Sequence, residues 1–174
     1  MLPVNMRPKA DKETHMTVPM IDSIFQFAYV TNDIERSAAV LRDRFGTGPV
    51  TFFRDMPGSN MNLGLCFAGT TNYELIEPHN KSGDMYSDWI ADTDEYCMRF
   101  HHLGFNLSSV EEFDRVRAEH LGRKYPLPMD LVMPGQIHVF YSDVRPELGH
   151  YLEYFFMLEG TRAMFAQVEG STIR

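Results

Sequence analysis

The sequence is poor in cysteine and in positive charge, and each shortage excludes a class of protein. Its two cysteines, Cys66 and Cys97, are too few for a disulfide framework and too far apart for a zinc knuckle. We therefore expect buried free thiols and a cytoplasmic protein. Acidic residues number 24 against 16 basic ones, and the formal net charge of -8 argues against nucleic acid or an anionic membrane as the partner.

Long apolar runs are also missing. No stretch approaches the roughly 18 apolar residues that a transmembrane helix needs, and residues 1–20 lack the apolar centre of a secretory signal. We expect residues 1–20 to form an N-terminal arm that is loose or clasps a partner. Apolar residues nevertheless make up 44% of the 174-residue chain, which is enough for the core of one domain.

An internal repeat organises the chain. Residues 22–31 are rich in β-branched and aromatic types, which predicts a strand, and a capped helical pattern follows them. Residues 98–107 are again typical of a strand, and a second capped helical pattern follows those. The two segments align without a gap at an offset of 76 residues, so that Gln26 falls on His102.

Three strand-like runs follow each predicted helix. They are 49–55, 61–68 and 72–78 in the first half and 125–132, 136–143 and 149–158 in the second. This order predicts an α+β fold in which two tandem βαβββ modules form a curved mixed sheet around a metal-binding cleft. We expect one domain over 21–158, made of module one (22–78), a linker (79–97) and module two (98–158), with a C-terminal tail over 159–174.

Four polar residues are predicted to meet in this cleft. Gln26 and His102 occupy equivalent positions on the first strands of the modules, and Glu74 and Glu153 occupy equivalent positions on the last strands. A buried carboxylate is costly unless it is paired or bound to a metal. Two carboxylates that face one cleft would also repel each other. One divalent metal ion (Zn, Ni, Co or Fe), held by an imidazole, an amide oxygen and two carboxylates, would remove both costs.

Two neighbours compete with these ligands. His101 lies beside His102, and Glu77 lies near Glu74. Because strand side chains alternate between faces, only one of the two histidines should face the cleft, and the gapless repeat selects His102. Glu77 points to the opposite face at the end of its strand, so we assign it to the surface.

The cleft walls have several candidates for substrate binding. Tyr151 and Phe155 share a strand face with the last-strand glutamate. His138 and Tyr141 lie on the seventh strand with opposite facing, and either could line the cleft. His120 is expected to be exposed.

Four segments in order resemble the vicinal oxygen chelate superfamily. They are QFAYVTNDIERSAAVLRDRFG, YELIEP, HHLGFNLSSVEEF and GHYLEYF, and the resemblance covers roughly residues 22–158. The Gln/Glu/His/Glu ligand set resembles that of glyoxalase I, and methylmalonyl-CoA epimerase is similar. Extradiol dioxygenases of this superfamily use two His and one Glu on iron, and its bleomycin-resistance members lack metal ligands.

The resemblance implies a metal-dependent, glyoxalase-like lyase, isomerase or epimerase. Such an enzyme transfers a proton next to a metal-bound carbonyl or other oxygen of a small substrate. The resemblance makes Glu153 the expected base as well as a ligand, with Glu74 as a ligand and catalytic partner and Gln26 as a neutral oxygen ligand. A homodimer is also expected. The alternatives are a non-catalytic protein that sequesters a small molecule and an Fe(II) dioxygenase with an altered ligand set.

Overall fold

The computed structural model describes residues 24–56 and 58–173, so the predicted N-terminal arm lies outside the described residues. The first module consists of β1 (Ile24–Thr31), α1 (Ile34–Phe45), β2 (Thr51–Phe53), β3 (Met61–Ala68) and β4 (Thr71–Pro78). The second consists of β5 (Met98–Asn106), α2 (Val110–Gly122), β6 (Met129–Met133), β7 (Ile137–Asp143) and β8 (Tyr151–Met157). A short α3 (Arg145–Leu148) precedes β8, and α4 (Glu159–Phe165) follows it.

The two long helices begin where the sequence supplies a cap. Asp33 precedes α1, and its carboxylate accepts a hydrogen bond from the backbone N–H of Arg36 at 2.9 Å. Ser109 plays the same part for α2 by accepting from the backbone N–H of Glu112 at 3.1 Å. Gly46 ends α1 with φ of 64°, a left-handed conformation that glycine adopts without strain.

The eight strands of the described residues form one mixed sheet in the order β2-β3-β4-β1-β5-β8-β7-β6. The first and last strands of each module pair in parallel, and β1 and β5 pair antiparallel where the modules meet. Within the described residues the sheet is curved and open, with β2 and β6 at its two edges. The predicted α+β fold of two tandem βαβββ modules is therefore confirmed.

Both long helices cover the face of the sheet opposite to the cleft. In the first module Ile34 and Leu41 of α1 pack with Leu75 of the sheet. In the second module Phe113 of α2 packs with Phe140 in the equivalent way. This burial fixes the alternation of the strands, and the residues on either side of Leu75 consequently face the cleft.

The cleft face is covered by the two segments predicted to be a linker and a tail. Tyr86 and Ile90 of the linker are buried against the sheet. Beyond β8 the chain forms α4, and the ring of Phe165 lies 5.4 Å from the ring of Phe25 in an edge-on contact. Both segments therefore belong to the core. Among the described helices, none is both long and apolar enough to cross a membrane.

Candidate active site

The structure brings the four predicted ligands together. Nε2 of His102 lies 3.2 Å from Oε2 of Glu153 and 3.5 Å from Oε2 of Glu74. The side chain of Gln26 is hydrogen-bonded to Glu74. Gln26 and His102 are buried, whereas Glu74 and Glu153 expose 14% and 11% of their side chains. The group is thus nearly enclosed and reaches solvent through its two carboxylates.

Gly104 makes room for two of these side chains. It pairs with Gln26 of β1 on one side and with Glu153 of β8 on the other. A Cβ atom at this position would lie 2.8 Å from Oε1 of Gln26 and 3.1 Å from Oε2 of Glu153. The site therefore requires a residue without a side chain here.

Ala28 occupies the repeat-equivalent position in the first module. It pairs with His102 of β5 on one side and with Glu74 of β4 on the other. Two adjacent rows of the sheet thus each have one small residue between two longer polar ones. This arrangement concentrates four polar side chains over the junction of the modules.

His101 also faces the site, and the prediction that only one of the two histidines could do so was wrong. Ala28 pairs with His102, but the next residue of β1, Tyr29, pairs with Phe100. His101 is thus the extra residue of a β-bulge, which interrupts the alternation of side chains. Its Nδ1 lies 2.8 Å from Nδ1 of His102, and both rings are fully buried. Burial lowers the pKa of His101 to about 2, and the neighbouring His102 adds to this effect.

A chain of hydroxyl groups holds Glu153. The Tyr141 hydroxyl donates a hydrogen bond to Oε1 of Glu153 at 2.7 Å, and the Tyr86 hydroxyl donates to Tyr141 at 3.1 Å. Burial, reinforced by the charge of Glu153, raises the pKa of both tyrosines well above 10. Both hydroxyls therefore stay protonated. Tyr86 was missed from the sequence because it lies in a polar segment outside the repeat.

Glu74 has a different environment from Glu153. The residue that pairs with Glu74 on the neighbouring strand is Leu65, whereas Tyr141 holds that place beside Glu153. Burial raises the pKa of Glu74 to about 7; His102 and a hydrogen bond from Gln26 oppose this shift.

The predicted wall residues divide between the two faces of the sheet. Tyr141, Tyr151 and Phe155 face the cleft and are buried there. His138 does not, because its ring packs edge-on against Phe113 of α2 at 5.4 Å on the opposite face. The placement of His138 in the cleft is corrected accordingly, since alternation along β7 admits Tyr141 and excludes its odd-spaced neighbour.

Glu77 and His120 were both predicted to lie away from the site at the surface, and the structure bears out only the position of Glu77. Glu77 lies away from the site and accepts hydrogen bonds from the backbone N–H of Ile34 and from the Asn62 side chain. His120 is buried, not exposed as expected, with 2% of its surface accessible and its ring 4.9 Å from that of Tyr154. The last turn of α2 packs it onto the sheet.

The donor set suits a divalent cation. Counted from His, Cys, Asp and Glu side chains alone, residues 24–56 and 58–173 contain no group of three or more that could hold a metal ion. His102 lies within 3.5 Å of an oxygen of each glutamate, and the fourth candidate is an amide, which this count leaves out. One imidazole, one amide oxygen and two carboxylates are donors that zinc and its neighbours accept. Gly104 lets the Gln26 and Glu153 side chains lie close to each other across β5.

Comparison with known proteins assigns the chain to a family. The sequence profile of the glyoxalase/bleomycin resistance protein/dioxygenase superfamily matches residues 25–141. The chain therefore belongs to this superfamily, whose members commonly bind a divalent metal. No curated protein sequence matches the chain.

Solved structures share its fold at low sequence identity. Methylmalonyl-CoA epimerase from Mycobacterium tuberculosis superimposes with a TM-score of 0.62 at 12% identity, covering 86% of this chain and 97% of that one. A Streptomyces coelicolor methylmalonyl-CoA epimerase variant bound to 2-nitronate-propionyl-CoA gives 0.60 at 12% identity, covering 78% and 96%. A hypothetical protein from Bacillus halodurans gives 0.59 at 15% identity, covering 78% and 94%.

Proposed function

We propose that the chain is a metal-dependent enzyme of the lyase or isomerase type that transfers a proton next to a carbonyl or other oxygen of a small substrate. The observation that carries this proposal is the convergence of two buried carboxylates from different modules on His102. Their burial is costly and contributes nothing to packing that an apolar residue would not. The burial of two carboxylates is explained if their charges bind a cation or take part in proton transfer.

Four residues would hold the cation. Gln26, Glu74, His102 and Glu153 supply two negative charges, which match one divalent ion such as Zn, Ni, Co or Fe. The bound ion would supply Lewis-acid stabilisation of negative charge on a substrate oxygen. The chain's own contribution is to hold these side chains over the junction of its modules.

Glu153 is the proposed base. Tyr141 fixes one of its oxygens at 2.7 Å, so that the carboxylate has a defined orientation when it takes a proton from carbon. Glu74 approaches the same Nε2 atom of His102 from the first module, at 3.5 Å, and would return the proton to the reacting carbon. Tyr151 and Phe155 are buried on the cleft face of the sheet, and we expect them to exclude water from the substrate.

The test begins with metal content. Protein stripped with a chelator is reloaded with each of the four metals and given methylmalonyl-CoA, or the glutathione hemithioacetal of methylglyoxal, in D₂O. We expect about one ion per chain and incorporation of deuterium at the carbon next to the carbonyl or thioester. Glu153→Gln should abolish incorporation, while His138→Gln, on the opposite face of the sheet, should retain it.

Four results would decide against the proposal. Chelated protein that retained full activity, or protein that bound no divalent ion, would remove the role of the four ligands. Tight binding of a small molecule without exchange at any carbon would instead favour sequestration. Oxygen uptake with catechols and Fe(II) would favour the dioxygenase alternative. Light scattering of the same preparation tests the expected homodimer.

A further inference from the structure

We propose that His101 is a positioning residue that fixes the ring of His102 through one hydrogen shared between their Nδ1 atoms. The inference rests on the proposed function in one respect, namely that Nε2 of His102 serves the site. The hydrogen bond itself is independent of any substrate. It joins two adjacent residues of β5, which regular strand geometry would place on opposite faces.

The contact requires a definite arrangement of hydrogens. The two Nδ1 atoms lie 2.8 Å apart, which is a hydrogen-bond distance. Two lone pairs or two N–H groups would repel at this separation, so one ring donates and the other accepts. Two neutral rings must then be opposite tautomers. Whichever histidine carries its hydrogen on Nδ1, the other carries its hydrogen on Nε2.

The surroundings of His101 hold the ring in place. Its neighbours are aromatic: the ring centroids of Trp89 and Tyr151 each lie 4.9 Å away. Trp89 is itself anchored, because its indole N–H donates to the carbonyl of Phe100 at 3.1 Å. Nε2 of His101 has no hydrogen-bond partner of normal geometry in the described part of the chain. A weaker interaction with the backbone of Met85 partly opposes the lowering of the His101 pKa.

The repeat shows that packing alone does not require a histidine here. Phe25 precedes Gln26 as His101 precedes His102, and Phe25 is likewise the extra residue of a β-bulge, in β1. Phe25 packs against the rings of Phe67 and Phe155. An aromatic ring without nitrogen thus satisfies the equivalent position. The nitrogen of His101 is explained by its one strong partner, Nδ1 of His102.

This pairing fixes what His102 presents to the carboxylates. With the shared hydrogen on His102, its Nε2 offers a lone pair toward Glu74 and Glu153, as a metal ligand must. With the shared hydrogen on His101, Nε2 of His102 bears a hydrogen that it can donate to Glu153 at 3.2 Å. In both states the ring plane is held by the same contact.

The first test uses the metal-free wild-type protein labelled with ¹⁵N. Long-range ¹H–¹⁵N spectra distinguish the two tautomers of each histidine, and the signals of residue 101 are identified by their loss in His101→Asn. We expect opposite tautomers for His101 and His102. The same tautomer in both rings would overturn the proposal. This measurement needs neither metal nor substrate, so its result stands whether or not the proposed function does.

The second test compares three substitutions. His101→Asn places an amide atom near the position of Nδ1, His101→Gln places one near Nε2, and His101→Phe reproduces the equivalent residue of module one. We expect the Phe and Gln variants to bind Co²⁺ roughly 10–100-fold more weakly than wild type, and the Asn variant to stay within a few-fold. The affinity is measured by titration calorimetry on the chelator-stripped chain.

A structural role for His101 would give a different pattern. Phe should fill the aromatic surroundings, so its melting temperature should equal or exceed that of the Asn variant while its Co²⁺ affinity is lower. Co²⁺ affinity that follows melting temperature across the three variants would overturn the proposal. So would equal losses of affinity in the Asn and Phe variants. If wild type binds no Co²⁺, the proposed function fails and the tautomer measurement decides this inference alone.

Discussion

The Tyr141 hydroxyl lies 2.7 Å from Oε1 of Glu153, and the position that corresponds to Tyr141 in the first module is occupied by Leu65, beside Glu74. The two glutamates are equivalent in the repeat but differ in their surroundings. One is held by a hydroxyl donor, and the other lies next to an alkyl side chain with its pKa raised to about 7. Two carboxylates with such different neighbours can take different roles in one site.

Tyr141→Phe removes this hydroxyl and keeps the aromatic ring, so it tests the role of the hydrogen bond alone. We expect turnover to fall roughly 10–100-fold, because Glu153 loses the donor that orients it and Tyr86 loses its acceptor. The measurement is kcat for deuterium incorporation. Tyr154→Phe is the matched control, since the buried Tyr154 hydroxyl has no hydrogen-bond partner among the described residues. Equal effects of the two substitutions would contradict the role given to Tyr141.

Gly104→Ala should damage the site and leave the fold largely intact. The added methyl group would meet Oε1 of Gln26 at 2.8 Å and Oε2 of Glu153 at 3.1 Å, so both side chains would have to move. We expect weaker binding of Co²⁺ and lower turnover. Gly122→Ala is the control, because nothing lies within 4 Å of a Cβ there. Unchanged affinity in Gly104→Ala would show that this close approach is unimportant for the site.

His120 should make the fold sensitive to acid. Its two ring nitrogens have no hydrogen-bond partner in the described residues, and burial lowers its pKa below the ordinary 6.5. Glu119 opposes this shift and Arg123 adds to it, while the rings of Tyr125 and Tyr154 pack against the imidazole. The unfolded chain therefore binds the proton more readily.

The contribution of His120 to the free energy of unfolding should accordingly decrease as the pH falls through about 6.5 toward the lowered pKa of folded His120. His120→Phe removes this titration, so its free energy of unfolding should decline less steeply over pH 8 to 5. Urea denaturation at a series of pH values measures both slopes. A variant with the slope of wild type would show that His120 is not a source of the acid sensitivity. His101, whose pKa is also lowered, contributes in the same direction, and Glu74, whose pKa is raised to about 7, contributes in the opposite direction; both remain in the variant.

Trp89 offers an optical report on the site. It is the only tryptophan of the chain, and its ring centroid lies 4.9 Å from that of His101. We expect its fluorescence to change when Co²⁺ is added to the chelator-stripped protein, with a midpoint that matches the calorimetric affinity. His102→Ala should remove the change. Identical emission spectra with and without the metal ion would show that metal binding does not change the surroundings of Trp89.

Much of the fold could be predicted because each half of the repeat tests the assignment of strands and helices in the other half. A strand and a capped helix that recur at a fixed offset are hard to explain by chance, and the second copy fixes the register of the first. The same argument selected Gln26 with His102 and Glu74 with Glu153, four residues that the structure brings together.

Local irregularities were beyond the reach of this reasoning. Alternation along a regular strand assigned His101 to the far face, but the bulge turns it inward, and no residue pattern announces a single extra residue in a pairing. Tyr86 is buried by a long-range contact of the linker. The choice between His138 and Tyr141 depended on which face of β7 the helices cover, and Phe113 decided it.

The junction between β1 and β5 has a consequence for how the molecule holds together. In the sheet the two halves meet along this single pair of strands, and the polar group straddles it. A ligand bound by residues of both modules would link the two halves of the molecule. The binding free energy of this ligand would then stabilise the pairing of β1 with β5. In the protein without ligand, the two halves would separate more readily.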